Sequence, residues 1–249
     1  MSKALTVKQE TQVSVPVAQV SSETGIDPSL VKPTRIHLLQ NTSELVGDGQ
    51  AQLGDIAILG DDTSVIGGID KPVEIVPMYM FETWVIMDCT EQPAKFLRVE
   101  PLNASNKMLP WEDIENGVPI KRLKTINWFV MIRKDMATDK AFPAIATFKS
   151  TSYKAGQNLA SAVFKSGFLG KPAYAKSYLL GSKREKGEKS TYAVYTITKG
   201  ENTTPAEIEC VQRLLPLVTK PEIKNEVLAA AAYEDKSSKS APSTEDIPF

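Results

Sequence analysis

The chain has 249 residues, with 29 Lys/Arg against 30 Asp/Glu and 42% hydrophobic residues, which is the composition of one or two folded domains and excludes a wholly disordered chain. No apolar run approaches the roughly 18 residues of a membrane helix, and the opening MSKALTVKQETQ lacks the apolar stretch of a secretory signal. Two cysteines, Cys89 and Cys210, and a single histidine, His37, exclude a disulfide framework, leave almost nothing for a zinc site, and place the expected compartment in a reducing cytoplasm.

Residues 1–33 contain no aromatic and no sustained periodicity, and read as a flexible N-terminal arm. A first strand is expected at Arg35–Gln40, with His37 inside it, and a second at Asp55–Leu59. Val73–Phe81 is β-rich and continues, after a bulge or turn at Glu82-Thr83, into Trp84–Met87, with a further short strand at Lys95–Val99. Residues 101–119 hold three prolines and read as a long irregular loop of the kind that is often functional. Ile126–Lys134 is the strongest strand, with Ile126, Trp128, Val130 and Ile132 on its apolar face and Asn127, Phe129, Met131 and Arg133 on the other.

A strand at Ala144–Lys149 precedes a helix over about Ser152–Ser166, in which Ala155, Leu159, Ala162 and Val163 form the buried stripe and Gly167 the stop. Residues 173–199 read as a β-hairpin whose tip carries Lys183, Arg184, Lys186 and Lys189, and whose first strand aligns Tyr174, Lys176 and Tyr178 on one face. Thr204-Pro205-Ala206-Glu207 fits a capping box with proline at the first helical position. Pro216 is expected to interrupt that helix, and a second helix to start at Thr219–Glu222 and run to Tyr233. Residues 234–249 read as a disordered acidic tail.

Charge is unevenly spread. Residues 1–120 hold 8 Lys/Arg against 17 Asp/Glu, residues 121–199 hold 16 against 4, and residues 200–249 hold 5 against 9. The basic third also carries 11 of the 18 aromatics. Cations interleaved with flat rings suit single-stranded nucleic acid, because phosphates take Lys and Arg while unpaired bases stack on ring faces. A solvated basic face over an aromatic core is the alternative, and edge lysines that keep a hairpin soluble are the alternative at the tip. The predicted elements suggest a mainly β fold with appended helices (α+β), in which residues 34–233 form a five-stranded Greek-key barrel of the oligonucleotide-binding (OB) type with long loops and a β-hairpin; an irregular β-sandwich is the second option.

The last residues, Ser243-Thr244-Glu245-Asp246-Ile247-Pro248-Phe249, place an acidic pair before Ile-Pro-Phe at the chain end. Glu245, Asp246, Ile247, Pro248 and Phe249 resemble the C-terminal tip of bacterial and phage single-stranded DNA-binding proteins, and the Thr34–Leu45 segment with its long loops looks like a divergent phage-encoded version. The resemblance implies a sequence-nonspecific single-stranded DNA-binding protein of DNA replication, recombination and repair, in the host cytoplasm if phage-encoded. Its tip would recruit replication and recombination proteins, since a carboxylate beside a terminal ring fits a basic-rimmed apolar pocket. Lys121, Arg122, Lys124, Arg133, Lys149, Lys154, Lys176, Lys183, Arg184, Lys186 and Lys189 are the expected phosphate contacts, and Phe129, Tyr153, Tyr174, Tyr178 and Tyr192 the expected stacking rings, with Trp128 assigned to the core.

No phosphate loop occurs, since Gly181-Ser182-Lys183 lacks the upstream glycine spacing. Ser/His/Asp or Cys/His catalysis would have to use His37, which lies in an apolar strand. The clusters Asp61-Asp62 and Glu112-Asp113-Glu115 read as solvated loops rather than a two-metal centre. The expectation is therefore no enzyme, no cofactor, no bound metal and no membrane partner, with oligomeric state open and a homodimer included. A replication-associated scaffold without nucleic-acid binding, or a metal-dependent nuclease, are the competing readings.

Overall fold

Alternating apolar residues build the centre of the molecule. In the computed structural model, which describes residues 34–219 apart from 60–62, 92–93, 139 and 189, the run from Val118 to Ile132 forms β7, buried on both faces from Thr125 onward. Its main partner is β4 (Val73–Asp88), antiparallel along nearly its whole length. The irregularity in β4 falls at Pro77–Tyr79 and not at the expected Glu82-Thr83; a proline cannot donate to the ladder, so the bulge sits where the donor is missing. The other strands are β1 (Thr34–Leu38), β2 (Ile56–Leu59), β3 (Ser64–Gly67), β5 (Lys95–Pro101), β6 (Glu112–Glu115), β8 (Ala144–Lys149), β9 (Lys176–Lys186) and β10 (Thr191–Asn202).

These ten strands form one mixed sheet in the order β10-β9-β4-β7-β8-β1-β2-β3, with β5 on β4 and β6 on β7. Every pair is antiparallel except β1 with β8. The fold is mainly β, as expected, but the sheet is open: among the described residues no ladder joins β10 to β1, so the expected closed five-stranded barrel is not formed. Side chains bridge that seam instead. Ala193 N–H donates to Gln40 Oε1 and Gln40 Nε2 donates to Ala193 O, both at 3.0 Å, Asn41 Nδ2 donates to Thr191 O at 2.8 Å, and Tyr195 Oη donates to Ile36 O at 3.3 Å.

A short helix, α1 (Glu44–Gly47), follows β1. Helix α2 (Tyr153–Phe168) lies between β8 and β9 and packs Ala155 and Leu159 against the inner face of the sheet, where Ile36, Ile126, Trp128, Val130, Phe148 and Tyr195 meet. Close approach is possible because Gly156 faces Phe148, where a Cβ would stand 2.8 Å from that residue's Cβ. The helix runs two residues beyond the expected Ser166 and passes through Gly167; the left-handed turn falls at Gly170, φ 74°.

Helix α3 (Pro205–Thr219) packs Cys210, Val211 and Val218 on the opposite, outer face against Val76, Met78, Phe129, Met131 and Ile145. Its capping box forms as read: Glu207 N–H donates to Thr204 Oγ1 at 3.3 Å and Thr204 N–H donates to Glu207 Oε2 at 2.6 Å. Pro216 does not end the helix, which continues to Thr219. The expected arm (1–33), second C-terminal helix and acidic tail lie outside the described residues.

The expected irregular loop over 101–119 contains structure. Asn116 and Gly117, at φ 52° and 83°, turn β6 into β7 as a tight hairpin, the conformation that an Asn-Gly pair favours. Among the described residues no helix is long and apolar enough to cross a membrane.

Candidate nucleic-acid interface

The outer face of the sheet changes character along its length. Near α3 it is apolar core. Beyond α3 it becomes a polar floor: Thr83 and Thr125 share a hydroxyl–hydroxyl hydrogen bond, Asn127 Nδ2 donates to Thr83 Oγ1 at 3.1 Å, and Thr147 Oγ1 donates to Asn127 Oδ1 at 2.9 Å. Thr83, Thr125 and Asn127 are buried within this network; buried polar groups that satisfy one another hold a rigid surface. Tyr79 and Phe81, half-buried on the same face of β4, border the floor, and Phe81 leans on Phe129 with ring centroids 5.7 Å apart. Lys149, exposed at the end of β8, shares the face of Ile145 and Thr147 and pairs in register with Thr125. At the far end Lys121 lies 5.0 Å from the Trp111 ring centroid and 3.3 Å from Glu112. Of these groups the Tyr79 and Phe81 rings, Thr147 and the lysines reach the surface, and the Thr83–Thr125–Asn127 network lies buried beneath them.

Several expected contacts belong elsewhere. Phe129 (1% exposed) and Tyr178 (2%) are core side chains, so neither is a stacking ring. Arg122 (4% exposed) is enclosed at the β6 hairpin, with Nη1 2.9 Å from Asp113 and Nη2 3.7 Å from Glu115. Arg133 is engaged by Glu74 at 2.6 Å, Glu207 at 2.7 Å and Glu201 at 3.4 Å. It clamps α3 to the sheet rather than waiting for a phosphate. Burial pushes the Glu207 carboxyl up, but the bonds from Arg133 and from Thr204 outweigh it and hold the group below its ordinary range. Trp128 is core, as expected.

The remaining expected residues do not line one trough; they fall into separate groups. Lys124, Tyr153, Lys149 and Lys154 gather at the β8–α2 junction. There Glu82 accepts a hydrogen bond from Tyr153 Oη at 3.4 Å and lies 3.6 Å from Lys124 Nζ. Burial, then the charge of Glu82, push the Tyr153 hydroxyl up to about 12. At the hairpin, Lys183 pairs with Glu185 at 2.6 Å, Tyr192 Oη donates to Glu185 at 3.3 Å, Arg184 Nε donates to Leu53 O at 3.2 Å, and Lys186 is exposed. Lys189 lies outside the described residues. Tyr174 sits in a short turn against α3, where its hydroxyl accepts from Gln212 Nε2 at 3.4 Å, and Lys176 begins β9. The row Tyr174–Lys176–Tyr178 is thus broken, because Tyr178 turns into the inner core while Tyr174 packs against the outer one.

Tyr79, Phe81 and Trp111 were not singled out from the sequence. The signal for Tyr79 and Phe81 was the alternation in Val73–Met87, but which face of β4 meets solvent depends on where α3 docks; Trp111 lies in the stretch read as an irregular loop. Glu112, Asp113 and Glu115 stand in ion pairs with Lys121, Arg122 and Arg98, and no metal-holding group of three or more His, Cys, Asp or Glu forms among the described residues. Asp61-Asp62 lies outside them. Cys89 and Cys210 are free thiols, Cys210 buried beneath α3.

Comparison with curated proteins and with solved structures returns no match. The family model described as Pam3 phage gp34-like protein matches residues 23–223, well over half of the chain. The sheet, its two packed helices and the outer face are therefore those of a member of the Pam3 phage gp34-like protein family.

Proposed function

We propose that this protein binds single-stranded DNA without sequence preference on the outer face of its sheet, serving phage DNA replication, recombination and repair. The observation that carries the reading is the row of Tyr79, Phe81, Thr147 and Lys149 at the outer surface, seated on the buried polar network Thr83–Thr125–Asn127. Rings accept any base, and lysines accept any phosphate. Strand order supports it: β9-β4-β7-β8 reads fourth-first-second-third, a Greek key, with β10 beside β9 and a helix between the third and fourth strands. That is the order of an OB-like barrel, here opened at the seam spanned by Gln40. In such folds the second and third strands present the oligonucleotide surface; here those strands are β7, buried from Thr125 onward, and β8, whose Thr147 and Lys149 reach the surface. The acidic tip Glu245–Phe249 would recruit replication and recombination partners. The protein would act as a binding protein rather than an enzyme, in the host cytoplasm.

The test is an oligothymidylate titration of the full chain and of Phe81→Leu, which keeps apolar bulk and removes the ring face. Loss of one stack, about 1–3 kcal/mol, weakens binding about fivefold or more. Unchanged affinity would move the interface off this face. Deleting Ser243–Phe249 should leave DNA affinity equal or higher and abolish capture of replication proteins; a large loss of DNA affinity would refute that division of labour.

A further inference from the structure

Residues 140–184 contain eight Lys/Arg and no Asp or Glu. Helix α2 lies within this stretch and turns its Ala155–Gly156–Leu159 side to the core. Its solvent side carries Lys154, Ser161, Lys165 and Phe168 in one stripe, with Phe164 one turn before Phe168. Phe164 is 73% exposed, Phe168 86% and Leu169 76%. Exposed rings of this size on a helix end mark a contact surface. Lys154, Lys165 and the nearby Lys171 are exposed and form no ion pair among the described residues.

The patch therefore asks for an occupant that is anionic and offers flat apolar faces. A second copy of this chain docking the same patch would set lysine against lysine, which disfavours that occupant. The start of α2 adjoins Lys149 at the edge of the outer face, so a bound strand need only pass the β8–α2 junction to reach it.

We infer that α2 is a second binding segment for single-stranded nucleic acid, in which Phe164 and Phe168 stack bases and Lys154, Lys165 and Lys171 hold the phosphates between them. The inference rests on the outer-face reading and extends the path of the strand beyond it. Both rings are exposed, so Phe164→Ala/Phe168→Ala leaves the thermal midpoint within a degree or two of the parent. The full chain and this double variant are titrated with labelled oligothymidylates of about 6 and about 20 nucleotides, lengths that fill one segment or both.

The expected result is unchanged affinity for the short oligonucleotide and a loss of about fivefold or more per ring for the long one. Equal affinity of parent and variant for the long oligonucleotide overturns this inference alone, as does a loss confined to self-association in sedimentation or to capture of an acidic protein. If the unaltered chain binds neither oligonucleotide, the outer-face reading falls as well.

Discussion

Replacing Lys149 and Lys154 with glutamine tests the electrostatics of the proposed interface. Both side chains are exposed, neither forms an ion pair among the described residues, and they flank the junction between the outer face and α2. Each lysine that neutralises a phosphate of a single strand contributes about -0.7 to the slope of log K against log salt. The double variant should flatten the slope by about 1.4, so the gap between parent and variant should shrink about sevenfold between about 50 and 200 mM salt. Fluorescence titration with oligothymidylate at four or five salt concentrations gives both slopes. Lys183→Gln is the internal comparison: Lys183 is already paired with Glu185 at 2.6 Å, so its removal should change the slope less. A constant ratio of parent to variant affinity across the salt series would refute the assignment, since it would mean that neither ammonium displaces counterions from the strand.

Three further outcomes follow from the packing and the ion pairs. Gly156→Ala should lower the melting temperature: its Cβ would meet Phe148 at 2.8 Å and Ile126 at 3.2 Å, and overpacking of about 1–3 kcal/mol exceeds the helix-propensity gain of about 1 kcal/mol. Gly167→Ala, with nothing within 4 Å of its Cβ, should raise the melting temperature, and a rise for both would show that α2 packs less closely than described. Glu207 has a lowered folded pKa, so the stability it contributes is complete above its ordinary value near 4.5 and is lost as the pH falls through the lowered value. Glu207→Gln should therefore remove part of the acid limb of a stability-versus-pH curve, and identical limbs would disprove the clamp.

Much of the fold was legible because it rests on local signals. The alternation over 126–132, the stripe Ala155–Leu159–Val163 and the Thr204–Glu207 capping box appear where the pattern places them, and the hairpin forms with longer strands, β9 running to Lys186 through the Lys183 and Arg184 expected at its tip. The Asn116-Gly117 turn was equally legible, since the pair is a strong hairpin signal, but the prolines around it suggested an irregular loop. The interface was less legible for a physical reason. Alternation shows that a strand has two faces, and not how many of them are covered. β7 is covered on one face by α2 and on the other by α3, so Phe129 disappears into the core and the half-buried rings Tyr79 and Phe81 occur on β4 instead. Arg122 and Arg133 read as free cations because their carboxylates are set by turn geometry and by tertiary contact; Glu74 and Glu207 are far from Arg133 in the chain.

The bridge between Gln40 and Ala193 has a bearing on solubility. A strand edge with free amides and carbonyls invites a neighbouring molecule to add its own strand, which is how many β proteins aggregate. Here one glutamine side chain occupies both backbone groups of Ala193. An incoming strand would have to evict that amide before it could pair there, so a single polar residue on the opposite rim guards this stretch against runaway polymerisation.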